Sequence, residues 1–215
     1  MYVETITVNA EGLFMGLLMN CYILSTQKGT GEVIMVDPGG QASKIMETVG
    51  ERKVSAIILT HYHSDHTGAL GALFDLWSKE NTPVYIHALD HEAFLSGQRR
   101  GLLEPGQIET IKPLLVLCND GDIIKAAGLN LEIIHTPGHS LGSMCLYAKD
   151  AGLLFSGDTI FRGTTGRTDL KGGSPRQMHD SLQRLAKLPD ETVVYPGHES
   201  KTSIAFERNW SLIEY

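Results

Sequence analysis

Four side chains that bind metal ions crowd one short stretch, Thr60-His61-Tyr62-His63-Ser64-Asp65-His66, in the pattern H-x-H-x-D-H. Neutral imidazole and ionised carboxylate are good donors to divalent cations. Three His and one Asp this close together are costly to hold unless a cation takes up their lone pairs. Three later segments each offer one more such group straight after an apolar run: Gly138-His139, Gly157-Asp158 and Gly197-His198. Singly, each reads as an ordinary loop or turn residue. Together with H-x-H-x-D-H they read as a metal site. The glycine before each one removes a side chain where the backbone would approach a metal centre closely.

The elements that must position these groups follow from patterning. Val54 to Leu59 is a short aliphatic run and reads as a buried strand leading into the H-x-H-x-D-H loop. After the loop, apolar residues at helical spacing from Thr67 predict a helix to about Lys79, with Thr67 as its N-cap. Strands are expected at Val3–Asn9, Met19–Ser25, Glu32–Asp37, Pro83–Ala88, Leu114–Leu117, Asp122–Lys125, Leu129–His135, Gly142–Ala148, Leu153–Ser156 and Thr192–Tyr195. Helices are expected at Ala42–Val49, Pro175–Leu188 and Ser203–Arg208, with short helices in the mixed segment Asp90–Lys112. Each half of the chain runs from several strands to a strand–helix unit. That order predicts an α/β fold over residues 1–215 as a single domain, a four-layer αββα sandwich of two mixed β-sheets with helices on the outer faces.

Composition narrows the function classes. The chain has 215 residues, 42% hydrophobic and 20% charged, in the range of globular domains. A net charge of −7 without a basic run argues against nucleic acid as a partner. No window reaches the roughly 18 apolar residues of a membrane span. The start, Met1-Tyr2-Val3-Glu4-Thr5, lacks the basic-then-apolar order of a signal peptide. Cys21, Cys118 and Cys145 are widely separated in apolar segments and read as buried free thiols of a reducing, cytoplasmic compartment.

Taken together, His61, His63, Asp65, His66, His139, Asp158 and His198, with Asp37 in Asp37-Pro38-Gly39-Gly40, resemble the metallo-β-lactamase superfamily over nearly the whole chain. Gly157-Asp158-Thr159-Ile160-Phe161 and Gly166-Arg167-Thr168-Asp169 resemble its small glyoxalase II-like (hydroxyacylglutathione hydrolase-like) branch. The resemblance implies two divalent metal ions per chain: zinc, with iron or manganese as the alternatives that nitrogen and oxygen donors allow. His61, His63 and His139 would hold the first, Asp65, His66 and His198 the second, and Asp158 would bridge them. Asp37 would orient the loop ligands from behind. A metal-bridging hydroxide would attack the carbonyl of an S-(2-hydroxyacyl)glutathione-type thioester, with Asp65 orienting it and shuttling a proton. Full-length glyoxalase II enzymes carry a helical carboxy-terminal extension that contacts glutathione, whereas this chain stops soon after His198. Arg162, Arg167 and Lys171 are the candidate contacts for an acidic small-molecule substrate instead.

Other chemistries compete for the same residues. A non-haem iron persulfide dioxygenase would use His61, His139 and Asp158 as two His and one carboxylate, and a lactonase or other ester hydrolase would use the full set. Gly138-His139-Ser140-Leu141-Gly142 matches G-x-S-x-G, the nucleophile elbow of serine esterases, with Ser140 as nucleophile. That elbow needs a helix directly after the serine, where Met144-Cys145-Leu146-Tyr147 reads as a strand. It also leaves the H-x-H-x-D-H residues without a role.

Overall fold

Alternate residues of the amino-terminal strands enter two different interiors, as period-two patterning requires of a sheet covered on both faces. The computed structural model describes residues 1–10, 16–98 and 103–209. The first sheet contains β1 (Tyr2–Asn9), β2 (Leu18–Ser25), β3 (Glu32–Val36), β4 (Lys53–Ile58), β5 (Val84–His87) and β6 (Leu115–Cys118), in that spatial order. Its pairs are antiparallel from β1 to β3 and parallel from β3 to β6. The second sheet begins with the antiparallel run β7 (Ile123–Ala126), β8 (Leu129–His135), β9 (Met144–Ala148) and β10 (Leu153–Gly157). A small ribbon, β11 (Ile160–Phe161) with β12 (Thr164–Thr165), follows. Strand β13 (Val193–Pro196) then adds in parallel to β10, and β14 (Thr202–Ser203) closes that edge.

Three apolar interiors separate four layers. Cys21 and Ile23 of β2 face Ile45 and Val49 of α1 (Ala42–Val49) in the first. Short α2 (Ser64–Thr67) lies in the H-x-H-x-D-H loop; α3 (Phe74–Ser78), α4 (His91–Gln98) and α5 (Pro105–Ile111) complete that outer layer through Trp77, Phe94 and Ile111. Tyr22 and Leu24, the alternate residues of β2, meet Leu131, Leu146 and Phe155 between the sheets. Cys145, Leu154 and Val194 pack under Met178, Leu182 and Leu185 of α6 (Pro175–Leu185) and Ile204 of α7 (Ile204–Asn209). Strand β4 changes the parity of its faces at Ser55, where a register shift leaves one extra residue against β3. Hence Val54 and Ile57 share the outer interior while Ala56 and Ile58 share the inner one.

The αββα expectation is met, with two revisions of detail. The helix expected from Thr67 to Lys79 is instead two short pieces, α2 and α3, broken by turns across Gly68 to Leu73. Thr67 does not cap the second; its hydroxyl donates back to the His63 carbonyl at 3.2 Å and closes the first. Two glycines within four residues weaken the helix that the apolar spacing alone would support. The mixed segment resolves into α4 and α5, the latter opened by a reciprocal capping box between Glu104 and Gln107. Residues 99–102 of that segment lie outside the described residues. All three cysteines are buried and unpaired.

Trp77 is fully buried and its Nε1 donates to the Leu70 carbonyl at 2.9 Å, tying α3 to the turn before it. Trp77→Ala is therefore expected to cost about 3–5 kcal/mol of stability, read as a lower urea midpoint at unchanged slope. A loss under about 1 kcal/mol would show that this side chain is not a packing anchor of the outer layer.

Candidate metal centre

Four strands deliver the site from their carboxy-terminal ends. His61, His63, Asp65 and His66 follow β4, His139 follows β8, Asp158 follows β10 and His198 follows β13. The first strand belongs to one sheet and the other three to the second, so the site sits where the two sheets meet. The seven side chains converge: His63 Nδ1 lies 2.8 Å from His139 Nε2, and His66 Nε2 lies 3.4 Å from His198 Nε2. Asp158 stands between them, with Oδ1 3.2 Å from His66 Nε2 and Oδ2 3.5 Å from both His139 Nε2 and His198 Nε2. Asp65 Oδ2 is 3.4 Å from His198 Nε2.

The back sides of the rings are fixed by acceptors, which decides which nitrogen faces inward. His139 Nδ1 meets the Arg167 carbonyl at 2.8 Å, His198 Nδ1 the Leu18 carbonyl at 2.6 Å, and His66 Nδ1 the Asp37 carboxylate at 2.9 Å. Asp37 also accepts from the Thr60 amide at 2.8 Å and the Thr60 hydroxyl at 2.7 Å. The Thr60 proton is thus committed to Asp37, so its oxygen can only accept from His61 Nδ1, 3.2 Å away. His61 Nε2 is left as a bare lone pair. It is buried without a hydrogen-bond partner, as is Asp65 Oδ1.

These observations test whether the donor set suits divalent ions. Groups with donors within 4.8 Å of one another are His61–His63–His139, Asp65–His66–His198, and His61–His66–Asp158. The first two coincide with the two ligand sets expected above. Orphaned inward donors, inward nitrogens paired against one another, and only N and O atoms fit borderline divalent cations. The two-His, one-carboxylate group contains His66, and His139 Nε2 also lies 3.5 Å from Asp158 Oδ2.

Without a cation the cluster carries its positive charge as protons. Burial works against charging His66, but the Asp158 and Asp37 carboxylates outweigh it and hold the imidazole pKa well above its ordinary value. Burial likewise opposes His198, yet bonds to Asp158 and Asp65 raise it to about 9. Burial, then the neighbouring imidazoles, pushes His61 well below the ordinary value and His63 down to about 4. Asp158 is held well below the ordinary carboxylate value: burial would raise it, and His66 and His198 overcome that.

The glycines serve mixed purposes. A side chain at Gly197 would strike Asp158 Oδ1 and His66 Cε1, so this position does let backbone approach the ligands. Gly157, at φ +47°, instead clears Thr60. Gly138, at φ +141°, clears the Met178 backbone, so it admits α6 rather than a metal.

A cavity of about 690 Å3 opens over His63, Asp65, His139, Asp158 and His198, walled by Leu17, Leu18, Phe161 and Leu170. Arg167 lines it, with its guanidinium forked onto Asp169 at 2.7 and 2.7 Å. Two of the expected substrate contacts are elsewhere. Arg162 lies over the Phe206 ring, 4.7 Å from its centroid, because the aromatic face and the Lys201 carbonyl draw the cation away. Lys171 does not line the cavity; its carbonyl accepts from the Tyr62 hydroxyl at 3.2 Å. Ser140 is fully buried and its hydroxyl donates to Asp90 at 2.6 Å, with a turn and then strand β9 after it rather than a helix. The nucleophile-elbow alternative therefore has no geometry here.

Sequence reasoning missed two tethers. Asn20 Nδ2 donates to the Pro196 and Glu199 carbonyls at 3.1 and 2.8 Å, and Tyr22 donates to Pro196, so β2 grips the loop that carries His198. An asparagine inside the apolar run Met19–Leu24 was the available signal. Asp90 is the second, and the sequence around it held none.

The sequence matches the family model described as Metallo-beta-lactamase superfamily over residues 16–198, a span that ends on the last of the seven site residues. A Bacillus subtilis protein described as a probable metallo-hydrolase, YqgX, is 36% identical over 88% of this chain and 89% of its own length. An Aeromonas hydrophila hydroxyacylglutathione hydrolase is 39% identical over 77% of this chain and 56% of its own length, so the match spans about half of that relative. Among solved structures, TTHA1623 in a di-iron-bound form superposes with a TM-score of 0.74 at 33% identity, over 94% of this chain and 96% of that one.

Proposed function

The chain belongs to the metallo-beta-lactamase superfamily, and from that premise we propose that it is a metal-dependent hydrolase of S-(2-hydroxyacyl)glutathione-type thioesters. The observation that carries the reading is the convergence of His61–His63–His139 and Asp65–His66–His198, with Asp158 between them, beneath one cavity that His63, Asp65, His139, Asp158 and His198 line. Each group would hold one divalent ion, zinc or iron, and Asp158 would contact both. Bound there, the ions would supply an acidified water and polarise a carbonyl.

The protein's own groups do the rest. Asp65 Oδ2 lies 3.4 Å from His198 Nε2, and its Oδ1 is buried without a hydrogen-bond partner. Burial pushes its carboxyl up, but the bond to His198 and the charge on His66 hold it below the ordinary value, so it is ionised at neutral pH. Asp65 lines the cavity, and its free carboxylate oxygen would take the proton of the attacking water and return it to the leaving group. A thiolate leaves readily and needs little acid help, which favours thioesters over amides. Leu17, Leu18, Phe161 and Leu170 offer the acyl group an apolar wall. Arg167 is the one cation of the three expected that lines the cavity, and Asp169 holds it in place. The likeness to hydroxyacylglutathione hydrolases over 77% of the chain supports the choice of thioester.

Protein loaded with zinc or iron is expected to release thiol from S-lactoylglutathione, followed with a thiol reagent. Chelator treatment should remove at least about 99% of the rate, and metal should restore it. Loaded protein that cleaves no thioester in a panel, yet consumes oxygen with glutathione persulfide, would replace this reading with the iron oxygenase one.

A further inference from the structure

Asp90 is 1% exposed, lies outside both ligand groups and has three donors aimed at it. It ends the 3-10 turn that follows β5, in a parallel strand held between β4 and β6. Its Oδ2 accepts from the Ser140 hydroxyl at 2.6 Å and its Oδ1 from the Gly142 amide at 2.7 Å. The Tyr62 amide is a third donor. A side chain at Gly142 would run into the Asp90 backbone amide and Cγ, both at 2.7 Å, so only glycine lets the two segments come this close. Ser140 is fastened further through Ser143, whose hydroxyl lies 2.8 Å from the Ser140 hydroxyl and accepts from the Ser140 amide at 3.0 Å.

The donors are not scattered along the chain. Tyr62 lies between His61 and His63, and Ser140 follows His139 directly. These are the three histidines of one ligand group, brought in by loops 76 residues apart whose facing nitrogens lie 2.8 Å from each other. No donor comes from Asp65, His66 or His198. The leftover G-x-S-x-G pattern thereby acquires a purpose: its serine and last glycine are the attachment points of a buried carboxylate.

We propose that Asp90 is a positioning residue that clamps the Tyr62 and Ser140–Gly142 segments and so sets the spacing of the His61–His63–His139 metal group alone. The inference rests on the two-group reading above. It also implies a hierarchy: Asp90 accepts three bonds and the Ser140 hydroxyl supplies one of them, so loss of the carboxylate matters more than loss of the hydroxyl.

The test is zinc titration of the metal-free protein against a chromophoric chelator that resolves two equivalents, with melting of the metal-free protein alongside. Asp90→Asn keeps the shape and removes the charge. It is expected to weaken one equivalent about 10–100-fold, the usual effect of losing a partner behind a metal ligand, while leaving the other within about twofold. Ser140→Ala should weaken the same equivalent by less. Cobalt-loaded Asp90→Asn should show an altered visible spectrum for that equivalent only. If both equivalents weaken alike in step with a lower melting temperature, the role is general support and the proposal fails. It fails equally if Asp90→Asn binds both as wild type does. Wild-type protein that takes up no zinc would instead overturn the hydrolase reading itself, and the clamp with it.

Discussion

Asp158→Asn is expected to weaken binding of both proposed metal ions and to lower kcat/KM for the thioester by at least about 10^2-fold. The carboxylate is the one site group whose oxygens approach members of both ligand sets, His139 at 3.5 Å in the first and His66 and His198 at 3.2 and 3.5 Å in the second. A substitution at His63 or His198 removes a donor from one set. The amide at 158 removes a shared anionic donor and the charge that balances two cations at once. Groups that only support a ligand already cost about 10–100-fold, so a group common to both sets should cost roughly the product of two such losses. The amide fills the same volume, which keeps Gly166 and Gly197 packed against the residue. Metal content by mass spectrometry and steady-state kinetics on one sample check the result. A variant that keeps two ions and more than about a tenth of the rate would show that Asp158 does not join the sets.

How much of this was legible in the sequence depends on the range of the interaction. Strands covered on both faces declare themselves through aliphatic runs, and the H-x-H-x-D-H, Gly-His and Gly-Asp groups at their ends are visible because short spacing and residue type carry the information. The αββα layering followed from the order of those runs. The division of the ligands into His61–His63–His139 and Asp65–His66–His198 followed from the resemblance, whereas the ring orientations that Asp37 and Thr60 impose from behind needed three dimensions. The tethers were invisible for a different reason. Asn20 bonds backbone carbonyls 176 and 179 residues away, and Asp90 bonds a serine 50 residues away. A backbone amide or carbonyl has no residue type to recognise, so the asparagine in the Met19–Leu24 run could be noticed but its partners, like those of Asp90, could not. Arg162 misled because charge near a site reads as substrate contact until a neighbouring aromatic ring, here Phe206, is seen to hold it. Strands β11, β12 and β14 have two residues each, too few to show a period.

The two proposed metal groups should differ sharply in their response to acid. In the metal-free protein burial opposes the charged form of His66 but Asp158 and Asp37 outweigh it and raise its pKa, and His198 is raised to about 9. Each must give up a proton before its lone pair can bind a cation. Loading the Asp65–His66–His198 group near pH 7 therefore releases two protons, and its apparent affinity should climb about 100-fold per pH unit while both remain protonated. Burial and the neighbouring imidazoles hold His61 well below its ordinary value and His63 at about 4, so these two ligands favour the neutral form and the first group should release fewer protons. Calorimetry in buffers of different ionisation enthalpy counts the protons for each equivalent. Equal counts for the two would show that the charge distribution assigned to the cluster is wrong. Stability of the metal-free form should move the other way. The His198 pKa is raised from 6.5 to about 9 on folding, so its contribution is complete below about pH 6.5 and disappears as the pH rises through about 9. Across that interval the metal-free protein should melt at falling temperature while zinc binds it ever more tightly. The same two imidazoles cause both trends, since a proton and a metal ion compete for the charge that Asp65 and Asp158 demand.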